Sequence, residues 1–136
     1  MKRSEIFYWL ARLVASFIML QTLYFKFTAS EESVFIFTTA GMEPWGRIGV
    51  GVLELIASVL LLIPATVWAG AMLAFGLMVG AIVMHATLLG IEVKGDGGQL
   101  FIYALIVAAC AAFSFFKSRS QVPEFIRKWL PSILFK

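Results

Sequence analysis

The chain has 136 residues, enough for one domain and too few for a second catalytic one. Apolar residues make up 61 % and charged residues 14 %, against about 45–50 % and about 25 % in soluble domains, which excludes a soluble globule and a disordered chain alike. The net charge of +3 sits mainly on the tails and reads as membrane topology rather than nucleic-acid binding, while a single cysteine excludes an internal disulfide, a Cys-x-x-Cys redox pair and a multi-cysteine metal site.

A bilayer core of about 30 Å needs about 20 mostly apolar residues in a helix. Four stretches meet that length: 6–27, 45–63, 67–89 and 100–116. The expected fold is all-α: one membrane domain over 1–136, built as a four-transmembrane-helix bundle. The first stretch is too long for a signal-peptide core, and no small-x-small site follows it, so it reads as a retained span. Residues 28–44 form the longest link. Its apolar run Val34-Phe35-Ile36-Phe37 suits either a short interfacial helix or a lid over the bundle. Pro64 should end the second span, because the residue before a proline avoids the helical region. The string Lys94-Gly95-Asp96-Gly97-Gly98 reads as a turn-rich connector. The tail 123–135 mixes Arg127 and Lys128 with Phe125, Ile126, Trp129 and Leu130, which suits an amphipathic interfacial segment broken at Pro131. Trp9, Trp45, Trp68 and Trp129 fall near span ends, where aromatic belts sit.

Lysine and arginine favour the cytoplasmic side. Lys2 and Arg3 lie on the N-terminal tail, and Lys117, Arg119, Arg127, Lys128 and Lys136 on the C-terminal one. Both termini are therefore expected in the cytoplasm and both longer loops outside, in a bacterial inner membrane. An even number of spans requires termini on one side, which agrees.

The informative residues are the ionisable ones inside the spans, since each is costly against hydrocarbon and should face the bundle or water. Helical spacing groups Arg12, Ser16, Met19, Leu23 and Lys26 on one stripe of the first span. Arg47, Gly51, Glu54 and Ser58 share a face of the second, Ala74, Ala81 and His85 a face of the third, and Tyr103, Val107, Cys110 and Ser114 a face of the fourth. Four such stripes are what an inward-facing bundle requires. At a rise of about 1.5 Å per residue, Lys26, Arg47 and His85 share an outer level, with Glu54 beneath them and Arg12 deeper still. Gln99 and Tyr103 enter from the outer end of the fourth span. The expectation is a polar pocket in the outer half, floored by Glu54 and drawing on Arg12, Lys26, Glu54, His85, Gln99 and Tyr103. The plain readings stand beside it: Arg47 and Lys26 snorkelling to headgroups, and Glu54 locked in a structural pair with Arg12 or Lys26. One His and one Glu are too few ligands for a metal within one chain. Gly76-x-x-x-Gly80 is a small-x-x-x-small pair that packs the third span on a neighbouring helix or on a second protomer.

These residues carry a resemblance. Arg12 early in the first span, Lys26 within Tyr24-Phe25-Lys26-Phe27 at its end, Gly51-Val52-Leu53-Glu54 in the second, the Leu-rich sequence before Pro64, and His85 late in the third follow in a distinctive order. The pattern resembles the DoxX-like family of small four-helix membrane proteins over 6–116. One departure is Leu23, where many relatives carry a small residue, and it should narrow the pocket near Lys26. The resemblance implies the fold, and it implies function only loosely. The family name comes from a membrane subunit associated with thiosulfate:quinone oxidoreductase activity. Other members are linked to redox-stress complexes, to amine-dehydrogenase maturation, and in animals to chaperone or cargo roles.

The leading expectation is an accessory or redox-linked membrane subunit, not an enzyme on its own, that takes a quinone-like or lipid-like molecule from the membrane. The alternatives are a scaffold or assembly factor whose buried charges are structural, and a quinone-reducing oxidoreductase subunit. The last needs a redox protein partner, because the chain has no flavin, haem or iron–sulfur motif. A small multidrug-type transporter fits less well, because its essential carboxylate lies in the first span, where this chain has Arg12 and Lys26.

Overall fold

The computed structural model describes residues 2–136 and is all-helical among them. Six α-helices follow in chain order: α1 (Arg3–Phe27), α2 (Glu31–Thr39), α3 (Trp45–Leu62), α4 (Val67–Met84), α5 (Gln99–Ser118) and the short α6 (Glu124–Arg127). Among the described residues, α1, α3, α5 and the segment Pro64–Leu89 that contains α4 are long and apolar enough to cross a membrane. They form a ring in which α1 and α4 each pack beside both α3 and α5. Both termini lie at one end of the bundle, here the terminal end. The opposite, distal end carries α2 and the 90–98 loop.

Lipid explains the distribution of residue sizes. Ala15, Ala57, Ala71, Ala74, Ala104 and Ala111 fill the interior, while Phe17, Leu20, Ile56, Val59, Ile106 and Phe113 face outward. Small residues inside let helix backbones approach closely, and the bulky ones meet acyl chains instead of each other. Gly70 is the glycine that lies closest to another spanning helix's backbone. A Cβ there would stand 2.7 Å from the Leu61 backbone nitrogen and 2.9 Å from the Ala57 carbonyl oxygen. Gly76 and Gly80, by contrast, meet nothing within 4 Å. The expected Gly-x-x-x-Gly contact inside the chain is therefore absent, and α4 makes its close contact with α3 one and a half turns earlier.

The α3–α4 corner shows why the chain turns where it does. Ile63, before Pro64, is extended (φ −90°, ψ 118°), so α3 stops. Its last carbonyls then need donors, because lipid supplies none. Thr66 donates to Leu60 O at 2.9 Å, Arg12 Nε to Leu61 O at 2.6 Å and Arg12 Nη2 to Leu62 O at 3.1 Å. Gln121 Nε2 donates to Pro64 O at 3.0 Å and ties the tail to the same corner.

At the distal end, Ser30 caps α2 by accepting from the Ser33 N–H at 3.3 Å. Ser33 and Phe37 turn inward and are buried, which makes α2 a lid over the bundle. The third span, expected as one helix over 67–89, changes pitch at its end into a π turn, His85–Leu89, before Gly90 (φ 78°) releases the chain. In the following loop, Asp96 accepts from the Val93, Gly98 and Leu100 N–H groups at 3.0, 2.8 and 3.3 Å and so starts α5. Burial alone would raise the Asp96 carboxyl, but these three donors, with the nearby His85 ring, hold it below its ordinary value. At the terminal end the expected amphipathic tail is a strap. α6 lasts one turn, and Val122, Ile126, Leu130 and Leu134 pack against the bundle.

Candidate functional site

The inward stripes converge. Arg12, Ser16, Met19 and Leu23 on α1 and Arg47, Gly51, Glu54 and Ser58 on α3 are all buried. Where the stripes reach the distal half, the helices enclose a cavity of about 450 Å³ roofed by α2. That volume suits a small amphiphile, since ligand sites commonly span about 300–1,000 Å³. Lys26, Glu54, His85, Gln99 and Tyr103 line it.

Its charged centre joins α1 to α3. Lys26 Nζ lies 3.1 Å from Glu54 Oε2 and 3.3 Å from the Thr22 hydroxyl oxygen. The Thr22 hydroxyl stands 2.8 Å from Met19 O and 3.4 Å from Glu54 Oε2. Having one proton, it donates over the shorter distance and offers a lone pair to Lys26. Of the two pairings considered for Glu54, the structure forms the one with Lys26. A carboxylate and an ammonium in this position can hold, or exchange a proton with, a polar headgroup entering the cavity.

His85 opens the π turn and is 5 % exposed. Its Nδ1 lies 2.8 Å from Gly90 O, and a carbonyl oxygen can only accept, so the ring carries a proton on Nδ1. In the neutral ring Nε2 is then an acceptor. Phe101 meets the ring edge-on at 5.5 Å between centroids. Gln99 Nε2 donates to the Tyr103 hydroxyl at 2.7 Å. Glu32, on the lid, also lines the cavity, and its carboxyl is pushed above its ordinary value by burial and then by the Asp96 charge.

Arg12 is not part of this cavity. It sits a membrane half away, 1 % exposed, capping α3 with its guanidinium 3.7 Å from the Trp9 ring centroid and 5.0 Å from that of Tyr8. Arg47 does not reach for headgroups either. It is 7 % exposed, donates from Nε to Glu43 Oε1 and Oε2 at 2.9 and 3.0 Å, and donates from Nη1 to the Lys26 carbonyl in the last turn of α1. Leu23 is buried but absent from the cavity wall, so it does not narrow the space near Lys26. Gly76 and Gly80 do line it, where their missing side chains leave room.

Thr22, Glu32 and Ser33 are cavity residues that the sequence reading passed over. Thr22 lies four residues before Lys26 and was legible as an i, i+4 neighbour. Glu32 and Ser33 were not, because their place depends on α2 folding inward. Among the described residues no three His, Cys, Asp or Glu side chains gather as metal ligands.

Four apolar spanning helices around a cavity with a charged floor define a small polytopic integral membrane protein. The model of the DoxX-like family matches residues 10–114, which takes in the second and third spans whole and most of the first and fourth, and the chain belongs to that family. No curated protein and no solved structure matches it.

Proposed function

We propose that the protein is an accessory membrane subunit whose distal cavity binds a quinone-like or lipid-like molecule drawn from the bilayer. The observation that carries this reading is the Lys26–Glu54 pair, which lines the cavity together with His85. The ammonium supplies donors for a carbonyl or phosphate oxygen, and His85 Nε2 accepts from a hydroxyl. The surrounding Ile18, Leu77 and Val107 suit an apolar body. The positive tails support a bacterial inner-membrane setting with the cavity on the outer side. Electron transfer, where the bound molecule takes part in it, requires a redox protein partner.

Native mass spectrometry of gently solubilised protein tests the reading. A stoichiometric small molecule is expected, retained by the wild type and lost from Glu54→Gln, with the bundle still folded. A bare chain, or equal retention by both, overturns it. A second reading, a scaffold whose buried charges only lock helices together, draws on Arg12 and Arg47, each of which caps the end of a helix other than its own. It expects Glu54→Gln to lower stability and leave everything else unchanged.

A further inference from the structure

The C-terminal strap carries a feature that the distal cavity does not explain. Its inward side chains recur every four residues at Val122, Ile126, Leu130 and Leu134. Its outward ones recur one position earlier, at Phe125, Trp129 and Ile133, and these are 67 %, 81 % and 73 % exposed. Three large apolar side chains at the end of a spanning bundle belong at the boundary between headgroups and acyl chains.

Beside them is a shallow, largely open cleft lined by Glu124, Arg127, Lys128, Leu130, Ser132 and Phe135. Arg127 is held in place on two sides. Its Nη2 donates to Ser120 O at 3.2 Å, and its guanidinium lies 4.8 Å from the Phe135 ring centroid. Its Nε is buried and has no partner among the described residues. That N–H is sealed from the cleft as it is from water, so an anion meets Arg127 at its Nη groups, and charged acceptors bind a guanidinium best. No carboxylate pairs with Arg127 or Lys128 among the described residues. The segment from Lys117 onward has five cationic side chains against the single carboxylate of Glu124.

We infer that this cleft binds the phosphate headgroup of an anionic phospholipid in the leaflet at the terminal end. Arg127 and Lys128 face the phosphate, the Ser132 hydroxyl stands on the cleft wall, and Phe125, Trp129 and Ile133 lie among the acyl chains. The distal cavity plays no part, so this inference stands or falls independently of the function proposed above.

The test reconstitutes the full chain in nanodiscs of equal parts phosphatidylglycerol and phosphatidylcholine and counts retained lipid by native mass spectrometry. The wild type should retain phosphatidylglycerol in preference. Each cation near an anionic surface contributes about 1 kcal/mol, so Arg127→Gln with Lys128→Gln should lower phosphatidylglycerol retention about thirty-fold and leave phosphatidylcholine unchanged. Lys128→Gln alone should lower it about five-fold. Lys128 makes no side-chain hydrogen bond, so the single variant keeps the test sound if the double one fails to fold. Equal retention of the two lipids by the wild type, or an unchanged preference in the variants, overturns the inference. So does displacement of phosphatidylglycerol by millimolar inorganic phosphate, which would mark a site for soluble anions.

Discussion

Lys26, in the last turn of α1, and Glu54, at the middle of α3, meet at 3.1 Å with Glu54 all but sealed from solvent. The pair crosses from α1 to α3 and forms part of the cavity wall, so it contributes both to the bundle and to whatever the cavity holds. Substitution can separate the two contributions. Glu54→Gln keeps an acceptor for the ammonium and should cost about 1–2 kcal/mol, the difference between a charged and a neutral partner. Glu54→Leu leaves the ammonium with a neutral hydroxyl alone and should cost about 3–5 kcal/mol. Lys26→Met added to Glu54→Leu should recover most of that loss, because a packed apolar pair replaces the ion pair. Unfolding in mixed micelles measures all three. Equal destabilisation by the single and double leucine variants would show that the unpaired charge is not the cause.

Arg12 makes the opposite case, a buried charge with a structural task. Its fork reaches two carbonyl oxygens that α3 leaves open in a solvent without donors. Arg12→Lys keeps the charge but not the planar fork and should cost about 1–2 kcal/mol. Arg12→Ala orphans both carbonyls and should cost about 3 kcal/mol or more. Neither variant should alter retention of a molecule in the cavity, which native mass spectrometry checks. Loss of that molecule from Arg12→Lys would place Arg12 in the site after all.

The sequence made the four helices and the inward faces of α1 and α3 readable because both follow from periodicity, whereas on α5 the expected Tyr103 and Cys110 are only half-buried and Ala104, Ala111 and Ser118 take the interior. Arg47, Gly51, Glu54 and Ser58 sit at i, i+4, i+7 and i+11, and all four are buried. It could not choose a partner for Glu54, since depth along a helix says nothing of rotation against the neighbouring one. It misplaced Arg12 for a related reason. A buried arginine looks alike in sequence whether it faces a carboxylate or the open end of another helix, and only the α3–α4 corner distinguishes the two. Residues 28–44 gave no period long enough to show that α2 folds inward, so the choice between an interfacial helix and a lid came from the structure.

Glycine showed the same limit, and it yields a third prediction. The familiar spacing pointed to Gly76 and Gly80, yet it is Gly70 that lies against a neighbouring helix's backbone. Gly70→Ala pushes a methyl group onto Leu61 and Ala57 backbone atoms that have no room to move, and should cost about 1–3 kcal/mol. Gly76→Ala and Gly80→Ala meet nothing and should leave stability within about 0.5 kcal/mol or raise it slightly, while reducing the cavity. Thermal unfolding in detergent gives the ranking. A marked loss from Gly76→Ala, together with a change in mass by light scattering, would instead show that this face packs against a second protomer.

The last prediction concerns acid. Asp96 joins three backbone N–H groups at the start of α5, and its carboxyl sits below its ordinary value. A carboxyl depressed by folding adds stability above its unfolded value, near pH 4, and that stability fades as the pH falls through the lower folded value. Asp96→Ala should therefore cost about 1 kcal/mol near neutrality, the usual loss for a capping carboxylate. The gap between wild type and variant should hold from pH 7 to about pH 5 and close below about pH 4. Asp96→Asn, which keeps one acceptor and has no charge to lose, should show a smaller and flatter gap. Unfolding midpoints of the three proteins across that range decide the matter; the part of the Glu32 shift that comes from burial is common to all three and cancels, while the part due to the Asp96 charge disappears with that charge in both variants. A gap that widens on acidification would mean that the Asp96 carboxylate strains the loop rather than holding it.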